Sequence, residues 1–362
     1  EREQEREEER EEEESKEINS NISPSLSSNL TKQQSIKDRY GFILSNDSIE
    51  LRRTEEQKLF LMEKELERTK KWIKMTKKWE YTVTHKGNKL RERLRKGIPD
   101  ALRSDVWLKL ARVNDMKQIY PNKFLLTQPS NVPEITIDEI ERDINRTFPS
   151  HDFFENGQAN NNGQNSLRRI LQSYAAFDPE TGYCQGMGFI AAMFLIYMVE
   201  EDAFYALVSL LQRPTLPLRA MYRPGMPGTK LVLNVFSHLG ERYLPKIWNH
   251  LTQENIHYSM YATSWFMTVY TNSFPFDLVT KIFDVLWYEG FKIVYRVALA
   301  LLKYSEEVIL SNQFEGIMLY FRTLPKTVDY VKLWKIVWEI PLKSEVIEMY
   351  SNRHHDDGGA NI

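Results

Sequence analysis

The sequence predicts an all-α fold: a single large multi-helix domain behind a disordered acidic N-terminal tail. Three observations point there. Apolar residues recur at helical spacing in one stretch after another. Neither an internal repeat nor a strand–helix–strand alternation interrupts them. Proline and glycine punctuate the stretches, as in Pro224-Gly225-Met226-Pro227-Gly228. Hydrophobic residues make up 42% of the chain, enough to fill a substantial core.

In chain order, residues 1–36 are a Glu/Arg block followed by a Ser/Asn-rich stretch. Neither can bury apolar surface, so both are expected to be disordered. The acidic block lacks a hydrophobic seam at heptad spacing and is not a coiled coil. Residues 37–89 read as a helical lead-in, with Trp72, Met75 and Trp79 on one face of a helix over Glu65–Glu80. The lysines between Lys70 and Lys78 could meet a membrane, although a solvated face is the stronger reading. The main domain is expected over residues 90–345, followed by a C-terminal tail, 346–362. Its helices are expected at Leu102–Leu110, at Ile137–Arg146 behind a Thr136/Glu139 capping box, and at Ser166–Tyr174. Next come the apolar run Phe189–Val199 and Ala203–Leu211, with Asp202 as N-cap. The last are Lys230–Glu241, Ser264–Thr271, Leu278–Leu286, Val294–Leu310 and Leu333–Trp338. His151–Asn165 reads as a flexible polar loop without catalytic meaning.

Charge and composition exclude several classes. The net charge is −2, and residues 1–14 alone carry −7, which leaves only a mild basic excess over the rest. That does not suit a nucleic-acid binder. Cys184 is the sole cysteine, so an intrachain disulfide and a cysteine zinc site are excluded, and a reducing cytoplasmic setting is expected. The apolar run of eleven residues is too short to span a bilayer, and the charged start does not read as a signal peptide. Because the chain starts at Glu1 rather than Met, a fragment is expected. Gly225–Lys230 lacks the spacing of a phosphate-binding loop, and His354-His355-Asp356-Asp357 is a weak chelator beside a Gly-Gly tail. Cys184 has no base near it in sequence and reads as a packing residue. No complete active site is evident, so the chain is not expected to be an enzyme by itself.

Three short motifs stand in order. The first is Arg103-x-x-x-Trp107-x-x-Leu110. The second is Ile140-x-x-Asp143-x-x-Arg146, and the third is Tyr183-x-Gln185-Gly186-Met187. Ile137, Ile140 and Ile144 share one helical face, and Arg146 falls about 150° from its centre, aimed away from the core. Taken alone, Arg146 would complement a helix C-terminus, and Gln185 would close the turn around Gly182 and Gly186. Taken together, the motifs resemble the TBC family of Rab GTPase-activating proteins. EEDAFYALVSLL, SWFMTVYTNSFPFDLVTKIFDVLWYEG and YRVALALL resemble that family's later helices, and the likeness covers roughly residues 90–315.

The resemblance implies a TBC-type fold and acceleration of GTP hydrolysis by a GTP-loaded Rab, regulating membrane traffic. Arg146 would be an arginine finger and Gln185 a glutamine finger supplied in trans. Arg103, Trp107, Asp143, Tyr183 and Gly186 would support them, with an Arg103–Asp143 pair fixing the finger helix and with Leu110 and Ile140 in the core. No cofactor or metal of its own is implied, since GTP and Mg belong to the partner. A cytoplasmic location, with peripheral association with endomembranes, would follow. Gly188 stands where many relatives carry a small polar residue, which leaves one local hydrogen bond open but not the mechanism. The competing expectations are a catalytically silent Rab-binding scaffold and, more distantly, a membrane-binding adaptor.

Overall fold

A computed structural model describes residues 37–43, 55–126, 131–155 and 162–356. The chain divides into two compact units, 1–52 and 53–362. In the first, residues 37–43 form a turn closed by an antiparallel bridge between Lys37 and Ile43. The carboxylate of Asp38 accepts the N–H groups of Tyr40 and Phe42 at 2.8 and 2.9 Å, which fixes that turn. The expected tail over residues 1–36 lies outside the described residues.

The second unit is built from helices, and no strand occurs among the described residues. It opens with α1 (Glu55–Thr76), α2 (Trp79–His85), α3 (Gly87–Lys96), α4 (Asp100–Ala111), α5 (Val113–Ile119) and α6 (Lys123–Leu126). Next are α7 (Glu134–Ile144), α8 (Asn162–Phe177), α9 (Met187–Tyr197), α10 (Glu200–Gln212) and α11 (Leu218–Tyr222). The rest comprises α12 (Pro227–Tyr243), α13 (Pro245–Gln253), α14 (Ser259–Met267), α15 (Phe276–Glu289), α16 (Lys292–Tyr304), α17 (Glu306–Leu310), α18 (Phe314–Thr327), α19 (Tyr330–Glu339) and α20 (Ser344–Asp356). The apolar run is the central helix α9, buried continuously from Met187 to Leu195 between α8 and α10. A helix apolar all round belongs inside a core. In the second half α15 holds the equivalent place, packed on α3, α4, α16 and α19.

Several elements differ from expectation for local reasons. The lead-in helix breaks at Lys77–Lys78, so Trp72 and Met75 are buried on α1 whereas Trp79 opens α2. The hydroxyl of Thr82 donates to the Met75 carbonyl at 3.3 Å across that break. The long helix expected over Val294–Leu310 is interrupted at the buried Ser305, whose hydroxyl meets the Tyr320 hydroxyl of α18 at 3.0 Å. Helix α14 stops at Met267 because Val269 and Tyr270 take left-handed φ values of 48° and 68°. Asp202 sits inside the first turn of α10 and does not cap it, since the residue before the helix is Val199. Helix α20 crosses residues 345–346 and packs on α12, with Tyr350 stacked on His238 at 4.8 Å. The side chains of His354 and His355, and residue Asp357, lie outside the described residues.

The polar segment His151–Asn165 is partly structured. His151 and Phe154 are buried, Gln164 donates to the Phe154 carbonyl at 3.1 Å, and α8 starts at Asn162. Residues 156–161 lie outside the described residues.

Candidate functional site

Helix α7 follows Pro133, whose carbonyl accepts the N–H groups of Thr136 and Ile137 at 2.9 and 3.1 Å. A proline just before a helix has no N–H to lose, and it starts this one ahead of the expected capping box. No side chain caps the start, which corrects the Thr136/Glu139 reading. Ile140 and Ile144 are buried, Ile137 is half-buried, and the apolar face therefore pins α7 to α8 and α9. The helix ends at Ile144, so Arg146 sits in the tight turn beyond it rather than on the helix. Its N–H donates to the Asp143 carbonyl at 3.2 Å. Phe148, two residues on, is held at φ 46° and buried against Phe154, Phe189 and Phe276. The expected outward aim holds: the Arg146 side chain is 46% exposed.

Asp143 organises the site from beneath. Its side chain is 2% exposed. One carboxylate oxygen accepts from the Arg146 guanidinium. The other accepts from the Tyr183 hydroxyl and, at 3.0 Å, from the backbone N–H of Gly186. One buried carboxylate thus ties the turn carrying Arg146 to the turn carrying Gln185. Burial first, then the Asp143 charge, pushes the Tyr183 phenol far above its ordinary range, so it remains a donor.

The loop between α8 and α9 is fixed at both ends. At its start, buried Asp178 accepts from Arg219 at 2.7 and 2.8 Å, from Thr181 at 2.8 Å and from Tyr174 at 3.1 Å. Burial pushes that carboxyl upward, but the bonds from Arg219 and Thr181 outweigh it and leave it below its ordinary value. At its end Gly186 takes φ 104°, and a Cβ there would come within 3.1 Å of Thr268. The left-handed φ favours glycine, and any Cβ would also have to displace the Thr268 methyl by a few tenths of an ångström. At Gly188 a Cβ would stand 3.3 Å from the Thr147 hydroxyl and 3.4 Å from the Tyr183 hydroxyl.

Between these clamps the exposed Gln185 projects beside Arg146. With the amide oriented oxygen toward the guanidinium, as the two donors there require, it accepts from both terminal nitrogens at 2.6 and 2.8 Å. The half-buried Cys184 next to it has its thiol pushed up to about 11 by burial, then by Glu139 and Asp143. It is a neutral packing residue at ordinary pH.

The first motif stands apart. Arg103 does not meet Asp143, which corrects the expected pair. Arg103 is 4% exposed and bonds Asp284 of α15 at 3.2 Å, the Ile98 carbonyl at 2.7 Å, the Tyr197 hydroxyl at 3.0 Å and Asp100. Trp107 donates to the same Asp284 oxygen at 2.8 Å, and the Ile98 N–H donates to the other at 2.7 Å. The motif therefore locks α4 to α15 and α9. It reaches the Arg146 turn only through packing, since Tyr197 stacks on Phe276 and Phe276 meets Phe148. Leu110 and Ile140 are buried, as expected. Reading the sequence missed Asp284 and Arg219. The signal for Asp284 was a lone acid inside the apolar segment KIFDVLW.

Comparison with known proteins gives the class. Residues 100–310 match the Rab-GTPase-TBC domain family, more than half of the chain, and the chain belongs to that family. It is 33% identical over 279 residues to the human ecotropic viral integration site 5 protein homolog, covering 76% of this chain and 33% of that protein. It is 32% identical over 253 residues to the Rab GTPase-activating protein eat-17 of Caenorhabditis elegans, covering 69% of this chain and 27% of that protein. The chain thus spans about a third or less of these relatives. Among solved structures, the TBC domain of a flagellar RabGAP from Chlamydomonas aligns with a TM-score of 0.64 at 24% identity, covering 84% of this chain and 99% of that one. The Ypt/Rab-GAP domain of Gyp1p aligns at 0.59 and 20%, covering 78% and 99%. These two likenesses concern the fold. Among the described residues no helix is long and apolar enough to cross a membrane, and no group of three or more His, Cys, Asp or Glu is placed to hold a metal.

Proposed function

We propose that this chain activates GTP hydrolysis by a Rab-family GTPase, inserting Arg146 and Gln185 into the partner's nucleotide site. The observation that carries this is the adjacency of the two exposed side chains, held together by hydrogen bonds over one buried carboxylate. Hydrolysis develops charge on the phosphate oxygens as the bond from the γ-phosphorus to its bridging oxygen breaks and a water oxygen takes its place. A planar, permanently charged guanidinium meets two such oxygens at once. An arginine supplied in trans is worth on the order of 10³–10⁵ in rate. The attacking water needs an acceptor and a donor beside it, and a primary amide offers both. Arg146 exchanges the Gln185 oxygen for phosphate oxygens, which releases the amide to the water. GTP and Mg belong to the partner, and the role lies in membrane traffic, in the cytoplasm or peripherally on endomembranes.

Four phosphate-release traces test the assignment: wild type and Gln185→Ala, each against a Rab and the same Rab with its switch glutamine changed to alanine. The expected result is strong activation of both Rab forms by wild type and of neither by Gln185→Ala. A Rab whose own glutamine proves indispensable, with Gln185→Ala silent, would overturn the role of Gln185. Tight binding without acceleration of any Rab would instead make the chain a scaffold.

A further inference from the structure

Helix α1 precedes the segment matched to the family and carries a pattern that the proposed function does not use. Trp72 and Met75 are buried, and Glu65 accepts the Asp100 N–H at 3.2 Å, so one face of α1 is committed to its own domain. The other face is not. Leu59, Met62, Leu66 and Ile73 are exposed, at 60%, 67%, 57% and 38%. Their spacing continues through Thr69 and Thr76 as alternating steps of three and four residues, the seam of a helix that pairs with another helix.

The charges beside this seam select the partner. On the free flank, one residue per heptad gives Glu56, Glu63, Lys70 and Lys77, all exposed. Lys77 still bonds the Ile73 carbonyl at 3.1 Å, so the helical path extends to it. The opposite flank, with Glu65 and Trp72, is the one turned toward the domain. In a parallel pair each flank meets the opposite flank of its partner, and here that flank is blocked. In an antiparallel pair like flanks meet, and the free flank reads acid, acid, base, base. It is its own complement when reversed.

We infer that α1 is a homodimerisation element that pairs antiparallel with α1 of a second copy. Leu59 then lies across from Thr76 of that copy, Met62 from Ile73, and Leu66 from Thr69. In the same register Glu56 meets Lys77 and Glu63 meets Lys70, each twice by symmetry. Such an isologous contact closes at two copies and does not propagate. One helix pair is a small interface, so the association is weak and concentration-dependent. The stripe and its lysines would also suit an anionic membrane, but Glu56 and Glu63 border the same stripe and are repelled by one.

Sedimentation velocity on the full chain, over a series reaching high micromolar, tests the inference. Wild type is expected to pass from monomer to dimer, and Leu66→Glu to remain monomeric with unchanged helical circular dichroism and melting. Glu56→Lys/Glu63→Lys and Lys70→Glu/Lys77→Glu should each be monomeric alone, whereas an equimolar mixture should dimerise. That rescue does not depend on how any single variant folds. The inference is overturned by a wild type that stays monomeric, by a dimer that survives Leu66→Glu, or by a mixture that fails to associate. Flotation with phosphatidylserine vesicles that is lost in Lys70→Glu/Lys77→Glu, without self-association, would overturn it in favour of a lipid surface.

Discussion

Asp143 and Asp284 are both carboxylates withdrawn from water, and the sequence places each in a helix. Asp284 takes its donors from the interior: Arg103, Trp107 and the Ile98 N–H. Burial pushes its carboxyl above its ordinary range, and Arg103, the Ile98 N–H and Trp107 pull against that shift. Asp143 accepts from the buried Tyr183 and Gly186 on one oxygen, but on the other from Arg146, which reaches solvent. The same device serves two ends. Where all donors are interior it fastens helices, and where one donor is exposed it holds a charged side chain at the surface.

Substitutions should separate these two uses. The largest effect is expected from Arg146→Ala, which should lower Rab activation about 10³-fold or more. Its melting temperature should stay near wild type, because the side chain is 46% exposed and the Asp143 carboxylate keeps the Tyr183 hydroxyl and the Gly186 N–H as donors. Stopped-flow phosphate release beside a thermal melt checks both halves, and a lowered melting temperature would mean that Arg146 is structural after all. Asp284→Ala should do the reverse. It takes from the buried Arg103 one of its two acid partners, leaves Trp107 and the Ile98 N–H without their acceptor, and should destabilise by about 3–5 kcal/mol in urea unfolding. Activity per folded molecule should change little.

Asp143→Ala falls between them. It leaves the Tyr183 hydroxyl and the Gly186 N–H without their acceptor, at about 1–3 kcal/mol. It should also lower activation while both finger residues are still present. If stability and activity of Asp143→Ala both equal wild type, the contrast drawn between the two carboxylates collapses. The smallest effect concerns Cys184. With its thiol pushed up to about 11 by burial first and then by Glu139 and Asp143, it should alkylate slowly at pH 8 and speed up as pH rises toward that value. Asp143→Asn removes a negative charge and should move the rate profile to lower pH. A profile centred near the ordinary thiol value would show that the loop is more open than described.

Much of this was legible in the residues. The apolar period located α4, α7, α8, α9, α10, α12, α15 and α19 to within a few residues, because each buries a broad stripe. The turn around Gly186 and the outward aim of Arg146 could also be read in advance. What could not be read was partnership across long separations. Arg103 and Asp143 lie 40 residues apart in sequence and carry opposite charge, yet Arg103 is satisfied by Asp284, 181 residues away. Sequence spacing shows that a buried arginine needs an acid, not which acid the packing brings to it. Helix ends failed for a related reason. Val269 and Tyr270, both buried, take left-handed φ values, and no local preference of a β-branched or aromatic residue announces that.

The bond between Gln185 and Arg146 bears on the timing of order. An exposed arginine ordinarily samples many rotamers, and fixing it costs about 2 kcal/mol of side-chain entropy. Here the guanidinium is fixed at two places before any partner arrives, by Asp143 below and Gln185 beside it. Much of that loss is therefore incurred once, during folding, and does not recur at each encounter. On the proposed function, binding would then need only a substitution of acceptors around a cation already in position, a change that a partner could complete quickly and reverse just as quickly after hydrolysis.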